Sequence, residues 1–189
     1  MKQPEFLILR LHHSQNNFMK KYLQLVLTGI LFSLRSFGQD TAKCDDKYFK
    51  DELLGKLAGQ WKLTGEIVKR KVENSFTADW VLNHQFIELK FTDVATPPTY
   101  FGNWYIGYDC VSERYVLHLL DNFGGRLSET LGYGIRSGQT IEFRFEYPDG
   151  PFINQFIYNE KNDSWQLHMT QKNSKAEWVL FGDEYLKRR

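Results

Sequence analysis

The sequence predicts an all-β protein, an antiparallel up-and-down barrel of about ten strands entered through one short helix. Three observations carry this expectation. Aromatic residues make up 16 % of the chain, and aromatic side chains fit a pleated, half-buried surface better than they fit most other settings. Turn signals recur about every ten residues from Gly59 onward, a spacing typical of sandwiches and barrels. Several segments alternate strictly: Ile141, Phe143, Phe145 and Tyr147 oppose Glu142, Arg144 and Glu146, and Trp165, Leu167 and Met169 oppose Gln166, His168 and Thr170. One apolar face and one wet face on each strand is what a closed barrel requires.

The chain opens with residues 1–18, which show no organised pattern and read as an extension upstream of a start at Met19. Residues 19–38 read as a secretory signal peptide. Lys20 and Lys21 form its basic start, Leu23–Leu34 its apolar run, and Ser36-Phe37-Gly38 its small-residue cleavage site. The apolar run is too short for a comfortable membrane span, although an uncleaved anchor is the rival reading. The mature chain is expected to begin at Gln39 and to be periplasmic or secreted. Export permits a disulfide between Cys44 and Cys110, the chain's two cysteines. Two unpaired thiols are the alternative, because sequence does not give the Cα separation.

Residues 39–59 hold an N-terminal segment and helix. Tyr48, Phe49, Leu53, Leu54 and Leu57 approach a helical stripe, with Asp45 or Asp46 as a cap and Gly59 as a stop. Residues 60–189 form the barrel domain. Its expected strands are 61–68, 74–82, 85–93, 100–108, 114–120, 126–135, 140–147, 152–159, 164–171 and 176–186. Asn83-His84, Pro97-Pro98, Gly124-Gly125, Ser137-Gly138, Pro148-Asp149-Gly150 and Asn173-Ser174 supply the turn chemistry. Parallel βαβ topology is excluded, since each crossover needs a dozen or more residues. The helix is expected to cap one mouth of the barrel.

A net charge of +1 offers no field to attract a polyanion, and no basic stripe of the kind nucleic-acid domains carry is present. Lys69-Arg70-Lys71 and Lys187-Arg188-Arg189 read as solvated charge at a turn and a terminus. No nucleic-acid partner is expected, and no membrane once the signal is cleaved. The oligomeric state is not legible.

Leu57-Ala58-Gly59-Gln60-Trp61 resembles the Leu-x-Gly-x-Trp entry to the first strand of lipocalin-like barrels. Residues 78–87, then Ile106-Gly107-Tyr108-Asp109, Arg114-Tyr115-Val116 and Leu120–Gly124, resemble successive hairpins of the bacterial family called domain of unknown function 1579. The resemblance covers Leu57 to about Lys187. It implies a calycin-like barrel and brings no assigned activity. This chain departs from the family pattern at His118-Leu119, where an aromatic is usual, so any shared pocket is expected to be reshaped.

Catalytic and cofactor signatures are absent from the sequence. There is no phosphate-cradling glycine loop between strand and helix, no Gly-x-Ser-x-Gly elbow and no Cys/His pair at zinc spacing. No catalytic residue, metal ligand or cofactor is assigned. His84 falls in a turn and is expected to be exposed; His118 is the one histidine that could turn inward as a ligand. Aromatics are the richest signal. Trp61, Phe86, Tyr108 and Trp178 also occupy positions compatible with the inner face. The candidate ligand-binding residues are Trp80, Glu88, Trp104, Tyr115, His118, Phe143 and Phe145. Aromatic walls with a few polar groups suit a small hydrophobic or amphipathic ligand. The alternatives are an enzyme, a hydrolase or isomerase using the same cavity, and a solid barrel serving structure or interaction. A contiguous cavity favours binding; a buried carboxylate or histidine with a shifted pKa inside it favours the enzyme.

Overall fold

The computed structural model describes residues 49–189. The upstream extension, the signal peptide, Cys44 and the expected start of the helix at residues 45–48 lie outside the described residues. Ten strands follow one another in antiparallel succession and close on themselves: β1 (Gly59–Ile67), β2 (Arg70–Val81), β3 (Phe86–Asp93), β4 (Phe101–Asp109), β5 (Arg114–Asp121), β6 (Gly132–Ser137), β7 (Thr140–Tyr147), β8 (Gly150–Asn159), β9 (Ser164–Lys172) and β10 (Trp178–Arg188). Each strand pairs with its sequence neighbours, and β10 pairs back with β1, Trp61 opposite Arg188. Closure leaves no open edge among these strands.

Helix α1 (Glu52–Leu57) precedes β1. Asp51 sits at its N-cap in extended backbone, and Asp51 Oδ1 accepts a hydrogen bond from the Leu54 N–H at 2.8 Å. Leu53, Leu54 and Leu57 are buried in the same core as the inner faces of the strands. The Trp61 indole donates to the Leu57 carbonyl at 2.7 Å. Arg188, at the end of β10, lies over the Trp61 ring at 4.0 Å and donates to the Lys56 and Ala58 carbonyls at 2.9 Å each. Those carbonyls are among the last of the helix, which have no partner within it.

Hairpin chemistry follows local sequence. Val68 and Lys69 both take positive φ in the β1–β2 turn, the pairing whose twist matches that of the flanking strands. The expected strand over residues 126–135 is corrected. Residues Gly125–Ser128 form a single helical turn, α2, and β6 begins only at Gly132. Arg126-Leu127-Ser128 has no alternating apolar face to bury, and Gly124 turns the chain with φ +94°. On β6 the glycines let aromatic rings lie directly on the backbone: a Cβ at Gly132 would meet the Phe145 ring at 2.5 Å, and one at Gly134 the Phe143 ring at 2.7 Å.

A register shift between Leu180 and Gly182 in β10 reverses which residues of that strand face inward. Trp178 therefore points out, with the Lys172 ammonium over its ring at 5.5 Å, rather than in as its spacing suggested. Cys110, in the β4–β5 turn, is disulfide-bonded. Among the described residues no helix is long and apolar enough to cross a membrane.

Candidate functional site

An up-and-down barrel sorts its turns between two ends. Turns β1–β2, β3–β4, β5–β6, β7–β8 and β9–β10 lie at one end, and the other turns lie at the opposite end. Filling of the interior is uneven. Trp61, Phe76, Phe143, Phe156 and Trp165 are fully buried beside the leucines of α1. Towards the β1–β2 end the side chains stop meeting across the axis. They leave a cavity of about 590 Å³, within the size range of small-molecule sites.

The apolar wall of the cavity is made by Val72, Phe91, Trp104, Phe152, Met169 and Phe181. Polar side chains interrupt it, among them Glu184, Asn74, Asp121 and Tyr100. Glu184 on β10 and Asn74 on β2 are each 5 % exposed. Neither side chain has a hydrogen-bond or ion-pair partner among the described residues. Burial alone pushes the Glu184 carboxyl up from 4.5 to about 7, because a low-dielectric site disfavours the charged form. Asp121 is also pushed up by burial, although the Phe123 N–H donates to its carboxylate at 2.9 Å. The Tyr100 hydroxyl is raised by burial and then by the charge of Asp121. The buried Trp104 indole N–H lies against that hydroxyl without a hydrogen bond of good geometry. Bases gather only at the mouth: Arg70, Lys71 and Arg126 line the entrance and are exposed, and Lys172 is half-buried. Arg126 pairs there with Asp149 at 3.2 Å.

Of the seven residues singled out from sequence, only Trp104 lines this cavity. Phe143 and Phe145 are on the inner face as expected, but they are packed core with no exposed surface. Trp80 is half-buried at the opposite end, stacked on His84 at 4.1 Å and meeting Phe49 edge-on. His84, expected to be exposed, is held there, its Nδ1 2.9 Å from the Phe49 carbonyl. Tyr115 borders a separate open cleft with Phe49, Asp51 and Arg136, where its hydroxyl donates to Asp51 and Arg136 stands 3.6 Å from that carboxylate. Burial, then Asp51, raises the Tyr115 hydroxyl pKa. Asp51 is the N-cap of α1, so this cleft is part of what holds the helix.

Glu88 and His118 fall on the outer face. Asp79, Glu88, Tyr105 and His118 stand opposite one another across β2, β3, β4 and β5. That row lies on the face opposite Ile87, Leu89 and Leu117. Glu88 accepts from the Tyr105 hydroxyl at 2.8 Å and pairs with Lys90 at 2.9 Å. Partial burial raises its pKa, but the hydrogen bonds from Lys90 and Tyr105 outweigh this, leaving it lowered. Phe86 shares the outer face and lies edge-on to His118 at 6.3 Å. Tyr108 is partly exposed and stacks on Phe49. Among the described residues no group of three His, Cys, Asp or Glu side chains converges as metal ligands would.

The polar cavity residues escaped the sequence reading although alternation places them inward: Glu184 stands two residues before Leu186, Asn74 two before Phe76, and Tyr100 four before Trp104. The sequence matches no known family model, and no curated protein matches it.

Proposed function

We propose that this chain is an exported, lipocalin-like barrel that binds one small hydrophobic or amphipathic molecule in its cavity. The observation that carries this reading is the 590 Å³ space walled by aromatic and aliphatic side chains and broken by a few buried polar groups. Affinity in such sites comes from apolar burial, while the polar groups set orientation and selectivity. The calycin-like assignment and kinship with the domain of unknown function 1579 family are part of the proposal, supported by the motifs at Leu57–Trp61 and Ile106–Gly124. On the same reading α1 closes the far end, supported by the burial of Leu53, Leu54 and Leu57 and the grip of Arg188. Native mass spectrometry of protein purified from its own host is the direct test, and a co-purifying small molecule is the expected result. Failure to retain any molecule, together with no binding of a hydrophobic fluorescent probe, would overturn the reading.

Export rests on the signal-peptide pattern, and N-terminal sequencing of the secreted protein should begin at or near Gln39. Recovery of an intact N-terminus from the cytoplasm would end that part of the proposal.

One observation favours a second reading. Glu184 is a buried carboxylate poised near neutrality inside the cavity, which is how general acids and bases are tuned. The binding reading is preferred because, among the described residues, no nucleophile, second carboxylate or histidine is hydrogen-bonded to Glu184. Chemical change in the bound molecule on incubation with protein, lost in Glu184→Gln, is what the enzyme reading requires.

A further inference from the structure

Glu184 and Asn74 are placed together by the weave of the barrel. Gly65 of β1 stands opposite Glu184 on one side and Val72 on the other, and Leu63 stands opposite Leu186 and Asn74. The two polar side chains therefore lie diagonally across β1, at a point where β1 presents a glycine to the interior. The β1 and β10 backbones approach so closely there that a Cβ on Gly65 would stand 2.1 Å from the Asp183 carbonyl oxygen and 2.6 Å from the Glu184 Cα. No side chain from β1 can screen the notch between them. Both residues line the cavity, both are more than nine-tenths buried, and neither is satisfied by the protein.

A buried polar group without a partner is costly, and two of them on one cavity wall, diagonally across a single strand, point to a ligand group that satisfies both. Their chemistry defines that group. A carboxylate accepts, and a carboxamide accepts through its oxygen, so one donating group can satisfy both. The interior is electrostatically one-sided as well. Six carboxylates line the cavity and its mouth, Glu184 the most deeply buried of them, while all four lysines and arginines that line it sit at the mouth, three of them exposed. A carboxylate-headed ligand inserted head first would meet like charge in a low-dielectric space and find no base to pair with. The nearby aromatic faces of Phe91, Trp104 and Phe181 attract a cation as well as a hydrocarbon.

We propose that the cavity takes an amphipathic amine, its ammonium group held by Glu184 and the Asn74 side-chain oxygen and its apolar body against Phe91, Trp104, Phe152 and Phe181. This rests on the reading of the barrel as a binding protein and names the class of ligand. The burial-driven pKa of Glu184, about 7, agrees with it. The carboxyl is neutral for part of the time without a partner, and a cation beside it returns it to the charged form, giving a charge-assisted hydrogen bond.

The test uses three ligands of one chain length: n-octylamine, 1-octanol and sodium octanoate. Their binding to the purified protein is measured by isothermal titration calorimetry. Octylamine is expected to bind at least about tenfold more tightly than octanol, a difference worth about 1.4 kcal/mol, and octanoate more weakly than octanol. In Glu184→Gln, octylamine should lose its advantage over octanol, so that the two bind alike. Octanol binding itself shows that this variant is folded, and the ranking in the parent protein decides the matter without it. Equal binding of all three, or an amine preference that survives Glu184→Gln, overturns the amine assignment and leaves the binding reading standing. If none of the three binds, both fall.

Discussion

At the residue scale Glu184 gives the sharpest stability prediction. Its folded-state pKa of about 7 stands above its ordinary value of 4.5, so the native protein holds a proton that the unfolded chain releases. The stability tied to that proton is fully present below pH 4.5 and is lost as the pH rises through 7. Its neighbours do not alter the sign. Leu63 and Gly65 on β1 and Leu167 on β9 do not titrate, and the groups across the cavity, Tyr100 and Asp121, are a neutral hydroxyl and another acid. Glu184→Gln should therefore be more stable than the parent at pH 8, by roughly 2–3 kcal/mol, with the gap closing towards pH 4. Urea midpoints across that range measure it, and a gap independent of pH would contradict the burial of an unpaired carboxyl. Two aromatic truncations separate wall from core. Phe143→Ala removes a ring packed on every side and should cost about 3–5 kcal/mol. Trp104→Ala, at a wall with empty space beside it, should cost less and should weaken hydrophobic-probe binding; equal costs with unchanged probe affinity would mean the wall is not a wall. These residues also show the limit of sequence at this scale. Phe143 and Phe145 lie on the inner face because their strand alternates cleanly; Trp104 also lies there, although aromatic residues occupy both faces of its strand. Glu88 and His118 were not placed, because Val116, His118 and Leu120 make an apolar-looking outer face. Which inner residues meet across the axis and which leave space is a property of ten strands at once, and no single segment carries it.

At the element scale α1 is held by few contacts of unlike kind. The Asp51 cap closes its start, three leucines bury its face, and Arg188 reaches over from the last strand to its final carbonyls. Arg188 also pairs with Asp163 in the β8–β9 turn at 2.9 Å. One guanidinium thus joins helix, first strand, last strand and turn. Because that side chain is 40 % exposed, much of its ionic attraction is screened. Arg188→Ala should cost about 1–2 kcal/mol, chiefly through the Trp61 stacking and the two carbonyl bonds. Arg188→Lys should recover little of it, since a single ammonium cannot reproduce the forked contacts. Thermal unfolding of the two variants checks this, and full rescue by lysine would show that charge alone matters. The leucine spacing predicts a helix here, but it starts only at Glu52 under an Asp51 cap, leaving Phe49 and Lys50 outside it, so the expected cap at Asp45 or Asp46 is corrected. The clasp was not foreseen, because 130 residues of sequence separate Arg188 from Ala58. The helical turn at Gly125–Ser128 was read as strand for a different reason: turn chemistry at Gly124 outweighed the strand-like residues that follow it at 131–135.

At the scale of the whole molecule the fold class was the most legible feature, because about ten alternating segments with short turns leave few topologies open. Closure itself follows from the pairing of β1 with β10, which no local pattern announces. The disulfide is a test at this scale. With two cysteines in the chain and Cys110 disulfide-bonded, non-reducing peptide mapping of the purified protein should yield one linked peptide containing Cys44 and Cys110. Reduction should lower stability by up to about 4 kcal/mol for a loop of that length, whereas two freely alkylated thiols in native material would refute the pairing. The even number of strands has a practical meaning of its own. A chain that runs up and down ten times returns to the end it left, so Gly59 and Arg188 sit at the same rim, away from the Pro148-Asp149-Gly150 hairpin and the cavity entrance. A tether added after Arg189 attaches to the packed side. Immobilised through it on a sensor chip, the barrel stands with its entrance turned to the solution, and a strand-order permutation that opened the chain at the β7–β8 hairpin would turn it the other way up.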